Sequence, residues 1–129
     1  MKKSKPGKPT DAELTILKVL WRCGASTVRE VWEQISPDKR TGYTTVLKLL
    51  QIMFEKGLVK RNETARSHVY EATVTEDQTQ RQAVGHLLER VFSGSARKLV
   101  LQALSIKRAS PAELEEIRQL LDDMEKERE

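Results

Sequence analysis

Cysteine is almost absent from this sequence, aromatic side chains are scarce, and no long apolar run breaks its polar character. The one cysteine, Cys23, excludes an internal disulfide and a cysteine-cluster metal site, which suits a reducing compartment. Its place in the pattern is that of a core residue. His68 and His86 stand far apart, with no Cys, Asp or Glu at usual ligand spacing. They read as surface histidines of a strand and a helix, not as metal ligands. No stretch approaches the roughly 18 apolar residues of a membrane-spanning helix, and the Lys-rich start leads into Pro6 and Gly7 with no apolar segment behind it. The expectation is a cytoplasmic protein that does not enter a membrane. Also missing are a nucleophile with a local base, a Gly-rich phosphate loop and a zinc-hydrolase pattern, so neither catalysis nor a cofactor is expected. A hydrophobic fraction of 38%, a charged fraction of 33% and 5% aromatics over 129 residues predict a soluble, helix-rich chain with a modest core. Two large domains do not fit in that length, whereas one compact domain of about seventy residues with a helical appendix does.

What the sequence has is an uneven distribution of charge. Residues 1 to 70 carry 14 Lys/Arg against 7 Asp/Glu, net +7, while residues 71 to 129 carry 9 against 12, net −3. A basic first half suggests that this part meets a polyanion and the other part does not.

Capping signals and apolar spacing divide the chain. Residues 1 to 8, with Lys2, Lys3, Lys5 and Lys8 around Pro6 and Gly7, read as a flexible basic arm. Thr10 with Glu13 is a capping box, and Leu14, Leu17, Val19, Leu20 and Trp21 give an apolar face, predicting a helix over about Thr10 to Cys23. Thr27 with Glu30 repeats the signal before Val28, Val31, Trp32 and Ile35, the buried side of a second helix that stops at Ser36 and Pro37. A polar turn from Asp38 to Gly42 precedes a third helix, Tyr43 to Lys56, closed by Gly57. Val46, Leu49, Leu50, Met53 and Phe54 form its core-facing stripe; Thr44, Thr45, Lys48, Gln51 and Glu55 face outward. Leu58 to Asn62 and His68 to Thr73 then predict a two-stranded hairpin around the tip Glu63 to Ser67.

From Thr75 onward the pattern is helical. A helix over Glu76 to Val91 carries Val84, Leu87, Leu88, Val91 and Phe92 on one side, and Ser93, Gly94 and Ser95 interrupt it. Leu99, Val100, Ala103 and Leu104 cluster in a further helix. Ser110, Pro111 and Glu113 cap a last helix, in which Leu114, Ile117, Leu121 and Met124 are spaced by three, four and three. That seam resembles two heptads of a coiled coil and is too short to stand alone. The segment holds more apolar helical surface than it can bury by itself, which points to a homodimer interface built from Leu88, Val91, Phe92, Leu99, Leu114, Ile117 and Leu121.

Three helices followed by a basic hairpin make the winged form of the helix-turn-helix, so the expected fold is mainly α with a small β-hairpin wing and a C-terminal helical dimerisation domain. Its domains are expected at 9–74 and 75–129, after the arm at 1–8. A helix about 10–12 Å across fits the major groove of DNA, where short polar side chains reach base edges. Thr44, Thr45, Lys48 and Gln51 are the expected base readers. Lys39, Arg40, Tyr43, Lys60, Arg61 and Arg66 are placed for phosphates, which supply affinity and little sequence information. The alternative reading is a winged-helix module that binds an acidic protein partner instead of DNA.

The segments LTILKVLWRCGASTVREVWEQI, YTTVLKLLQIMFEKGLVKR, ARSHVYEATVT, LLERVFSGSARKLVLQAL and SPAELEEIRQLLDDM, in this order, resemble the BlaI/MecI/CopY-type penicillinase repressors, a family that includes copper-transport repressors. The resemblance implies a repressor of transcription that binds an inverted-repeat operator as a homodimer. It places Thr44, Thr45 and Lys48 where the family reads DNA, and Arg66 at the basic wing position. Where the family commonly has Arg, this chain has Ile52, which departs from one expected DNA contact. In the β-lactam-responsive branch an inducing signal acts through a sensor or protease that cuts an Asn-Phe bond in the dimerisation helices. The corresponding dipeptide here is Gln102-Ala103. The C-terminal cysteine cluster of the copper branch has no counterpart in Met124 to Glu129.

Overall fold

Side-chain caps decide where most of the helices begin. The computed structural model describes residues 7–36, 40–64 and 66–128, so that Lys39 and residues 1–6 of the basic arm lie outside the described residues. Along the chain run α1 (Asp11–Cys23), β1 (Ser26–Thr27), α2 (Val28–Ile35), α3 (Tyr43–Lys56), β2 (Val59–Asn62), β3 (Val69–Ala72), α4 (Glu76–Arg90), α5 (Ala96–Ile106) and α6 (Pro111–Glu127). Reciprocal capping boxes, Thr10 with Glu13, Thr27 with Glu30 and Ser110 with Glu113, start α1, α2 and α6. Thr75 and Gln78 exchange the same pair of bonds at the start of α4. At the other end of α3, Gly57 adopts φ 83°, a left-handed conformation that a side chain would strain. The Leu58 amide donates to the Met53 carbonyl and the Gly57 amide to Phe54, closing the helix.

The first three helices and the strands share one core. Ile16, Leu17 and Leu20 of α1, Val28 and Val31 of α2, and Val46, Leu50 and Met53 of α3 meet Leu58, Val59 and Tyr70 from the sheet side, all buried. Each fully buried aliphatic side chain contributes about 1.5–3 kcal/mol. Trp21 and Trp32 pack at the rim and satisfy their indole N–H groups on backbone carbonyls, Trp21 on Val74 at 2.9 Å and Trp32 on Thr41 at 2.6 Å.

Three features differ from the sequence expectation. The sheet has three strands in the order β1-β3-β2, all antiparallel, because Ser26 and Thr27 pair with Tyr70 and Val69. Cys23 is exposed. It continues the spacing of the core stripe but falls in the last turn of α1, where Gly24 turns the chain away. Phe54 is 37% exposed, at the edge of the core stripe, and the Arg61 guanidinium lies over its ring.

One ion pair ties the start of α1 to the end of α3. Lys56 Nζ donates to Glu13 Oε1 at 2.6 Å and to the Lys8 carbonyl at 3.0 Å, and the Gly7 amide donates to the Lys56 carbonyl at 3.2 Å. Glu13 is 2% exposed. Its burial alone would raise the carboxyl pKa, but the hydrogen bond from Lys56, the Thr10 amide and the Lys56 charge outweigh it and hold the pKa below the usual value. A carboxylate depressed in the folded state stabilises the fold above its unfolded pKa of about 4.3. That contribution is lost as pH falls through the lower folded value. Thermal melting followed from pH 7 downward should therefore show a decline in midpoint at acid pH that is smaller in Glu13→Gln; an identical acid profile in the two proteins would contradict the assignment.

The polypeptide divides into a unit ending at Arg81 and a second beginning at Gln82. The first turns of α4 go with the first unit, where Thr79 is buried and its hydroxyl donates to the Thr75 carbonyl. In the second unit, Ser93 and Gly94 both take positive φ and break the helical path before Ser95 caps α5. No residue of α5 or α6 is buried. Val91, Leu101, Leu120, Leu121 and Met124 are each more than half exposed, while Leu88, Phe92, Leu99 and Ile117 are half-buried and Leu114 lies at the exposed limit. Gln102 and Ala103 are exposed within α5. No helix among the described residues is long and apolar enough to cross a membrane.

Candidate nucleic-acid interface

The third helix is held by its buried side and shows the other to solvent. With Val46, Leu50 and Met53 in the core, helical geometry sends Thr44, Lys48, Gln51 and Glu55, spaced by four, three and four, to the opposite face, where all are exposed. Thr45 and Ile52 flank this row on one side and are exposed too. On the other side Tyr43, Leu47 and Gln51 line a cleft of about 400 Å³ between α3, the start of α2 and the β2–β3 hairpin. Gln51 thus stands on the flank turned toward the wing, while Lys48 occupies the middle of the outer face.

The start of α3 is fixed by the turn before it. The Thr41 amide donates to Ser36 Oγ at 2.8 Å, and its carbonyl accepts from Trp32. The Tyr43 ring meets Trp32 edge to face, with centroids 5.9 Å apart. Gly42 caps α3 without a side-chain bond, so among the described residues no side-chain cap meets the amides of its first turn, beside Thr44 and Thr45. Tyr43 and Arg40 are exposed at this end.

The cleft is electropositive. Arg29, Arg61 and Arg66 line it together with Ser67 and His68, and among the described residues no carboxylate does. Among the described residues Arg29 is engaged only in an exposed pair with Glu33 at 3.5 Å, which costs little to break. Arg66 is exposed and has no ion-pair partner among the described residues. The other basic residues of the wing are less free. Lys60 pairs with Glu71 at 3.5 Å across the outer face of the hairpin, and Arg61 Nε donates to Glu63 at 2.7 Å. The neighbouring Tyr70 first and then Glu63 hold the Arg61 guanidinium protonated more firmly than an ordinary arginine.

The structure thus brings Tyr43, Thr44, Thr45, Lys48 and Gln51 onto one helix and sets Arg61 and Arg66 beside it on the hairpin. Sequence reasoning passed over Arg29, Ser67 and His68. Arg29 gave one signal, its place in the first turn after the Thr27 capping box; its facing the cleft depends on how α2 packs. Among the described residues no cluster of His, Cys, Asp and Glu is arranged to hold a metal.

A family model described as penicillinase repressor matches residues 9–123. The chain is similar to the penicillinase repressor of Staphylococcus aureus, 23% identical over 115 residues that cover 89% of this chain and 91% of that one. It is also similar to the penicillinase repressor of Bacillus licheniformis, 25% identical over 114 residues, 88% of this chain and 89% of the relative. Among solved structures it matches the DNA-binding domain of the repressor BlaI, at 25% identity and a TM-score of 0.52, covering 59% of this chain and 93% of that domain. The shared fold is the winged helix.

Proposed function

The chain belongs to the penicillinase repressor family, and from that premise we propose that it represses transcription as a homodimer bound to an operator with two half-sites. Residues 9–74 form the DNA-binding module and residues 75–129 the dimerisation module. Thr44, Thr45, Lys48 and Gln51 read base edges in the major groove, and Arg40, Tyr43, Lys60 and Arg66 meet phosphates on either side. The observation that carries this reading is the polar outer face of α3, exposed beside an arginine-lined cleft that no carboxylate among the described residues lines. A polyanion following that cleft finds Arg29 from α2 and Arg66 and His68 from the hairpin along its lining. Dimerisation is supported by the exposed apolar side chains of α5 and α6, in helices that bury nothing of their own. Each protomer then presents one α3 to one half-site, as two-fold helix-turn-helix proteins do. Release by an inducing signal would act through the same helices, where Gln102 and Ala103 lie exposed. The repressor works in the cytoplasm and carries out no chemistry.

Two substitutions separate base reading from charge attraction. Lys48→Ala should reduce the preference for operator over scrambled duplex by about 10- to 100-fold, the worth of a good base contact. Arg66→Ala should weaken binding to both duplexes and lower the slope of log affinity against log salt by about 0.9. Fluorescence anisotropy across a salt series measures both. Unchanged selectivity in Lys48→Ala would remove it from the base-reading set.

A further inference from the structure

Strand geometry separates two neighbouring cations that look alike in sequence. Along β2, Val59 is buried and Arg61 shares its face, whereas Lys60 lies on the other. The register sets Lys60 opposite Glu71 on the outer side and Arg61 opposite Tyr70 on the core side. The Lys60 side chain is 68% exposed and that of Arg61 only 21%.

Two elements meet the Arg61 guanidinium. Its central carbon lies 4.0 Å from the centroid of the Phe54 ring, at the end of α3. Its Nε donates to Glu63 at 2.7 Å in the turn that follows β2, and the strand register sets Arg61 opposite Tyr70, which is 1% exposed. One planar group on β2 therefore bridges α3 and the turn of the wing.

We propose that Arg61 is a positioning residue for DNA binding, fixing the wing against α3 through the Phe54 stack and its bond to Glu63, and that it is not itself a phosphate contact. The proposal rests on the DNA-binding reading above. A phosphate approaching Arg61 would also meet the half-exposed Glu63 carboxylate, which repels it. Lys48 on α3 and Arg66 on the wing must engage one duplex together, so the angle between helix and hairpin sets whether both reach. A lysine keeps the charge but lacks the planar group that stacks on an aromatic face and donates in two directions, so it cannot replace this bridge.

The test has two arms, both on the full chain. Without DNA, urea unfolding of Arg61→Ala, Phe54→Leu and the double variant should show coupling, the double variant losing less stability than the two singles together. With DNA, a duplex from upstream of its own gene is titrated across a salt series. Arg61→Ala, Arg61→Lys and Phe54→Leu should each weaken binding by about tenfold, with the wild-type salt slope retained. Additive stabilities, a slope lowered by about 0.9 in Arg61→Ala with rescue by Arg61→Lys, or wild-type binding by Phe54→Leu would each overturn the proposal. A wild-type chain with no preference for that duplex over a scrambled one overturns the repressor reading and this proposal together. A wild type that binds selectively while Arg61 behaves as a phosphate contact overturns this proposal alone.

Discussion

Replacing Leu121 by Asp together with Ile117 by Asp is expected to convert the protein to a monomer and to lower operator affinity by about 10²- to 10⁴-fold. The size of the effect follows from valency. When two modules are joined, the second half-site is bound at high effective concentration, and separating the protomers forfeits that gain without altering any base contact. The position of the lesion follows from burial. Leu121 is 53% exposed and Ile117 half-buried, on the seam that also carries Leu114 and Met124. A carboxylate placed there would have to be desolvated without a partner in a dimer, which is strongly unfavourable. The folding of the first unit should be untouched, since these residues lie outside it. Sedimentation at micromolar concentration measures the assembly state. A variant that remains dimeric, or a wild type that is monomeric, would show that the apolar face of α6 serves another purpose.

Leu50→Ala should act on the other half of the protein and through a different mechanism. Leu50 is fully buried, one turn from Val46 and Met53 on the inner side of α3. Truncating a buried leucine removes its transfer free energy and leaves a cavity, a combined cost of about 2–5 kcal/mol. For a domain of this size the melting temperature should fall by at least about 8 °C. Ile52→Ala, two residues away on the outer face, is the matched comparison: Ile52 is 36% exposed, and its truncation should change stability by less than about 0.5 kcal/mol. Thermal denaturation followed by circular dichroism compares them. Equal losses in the two variants would mean that the inner and outer faces of α3 are wrongly assigned.

The helices were legible in the sequence because their signals are local. Thr10 with Glu13, Thr27 with Glu30 and Ser110 with Glu113 announce three helix starts, and Gly57 announces the end of α3, since each motif satisfies backbone groups within a few residues of itself. The winged-helix order of elements followed from these, as did the outward row Thr44, Lys48 and Gln51. What stayed hidden depends on packing between distant segments. β1 has two residues, too few for an alternation, and becomes a strand only because Val69 and Tyr70 pair with it. Phe54 fits a core stripe by spacing alone, yet α3 ends beneath the hairpin, where Arg61 covers its ring. Cys23 continues the α1 stripe one turn beyond the core. Lys60 and Arg61 look equivalent as adjacent cations, although strand parity already separates their faces. The cleft that gathers Arg29 from α2 and Arg66 and His68 from the hairpin has no sequence signature at all.

The central claim is that this chain binds a specific DNA sequence as a dimer. It is tested most directly by fluorescence anisotropy of the intact protein on a duplex from upstream of its own gene, against a scrambled duplex, over a range of salt. The account predicts tight binding that prefers the native duplex, weakens steeply with salt and saturates at two chains per site. Equal and weak binding to both duplexes would contradict it, leaving charge attraction alone and making the winged helix a module for an acidic protein partner.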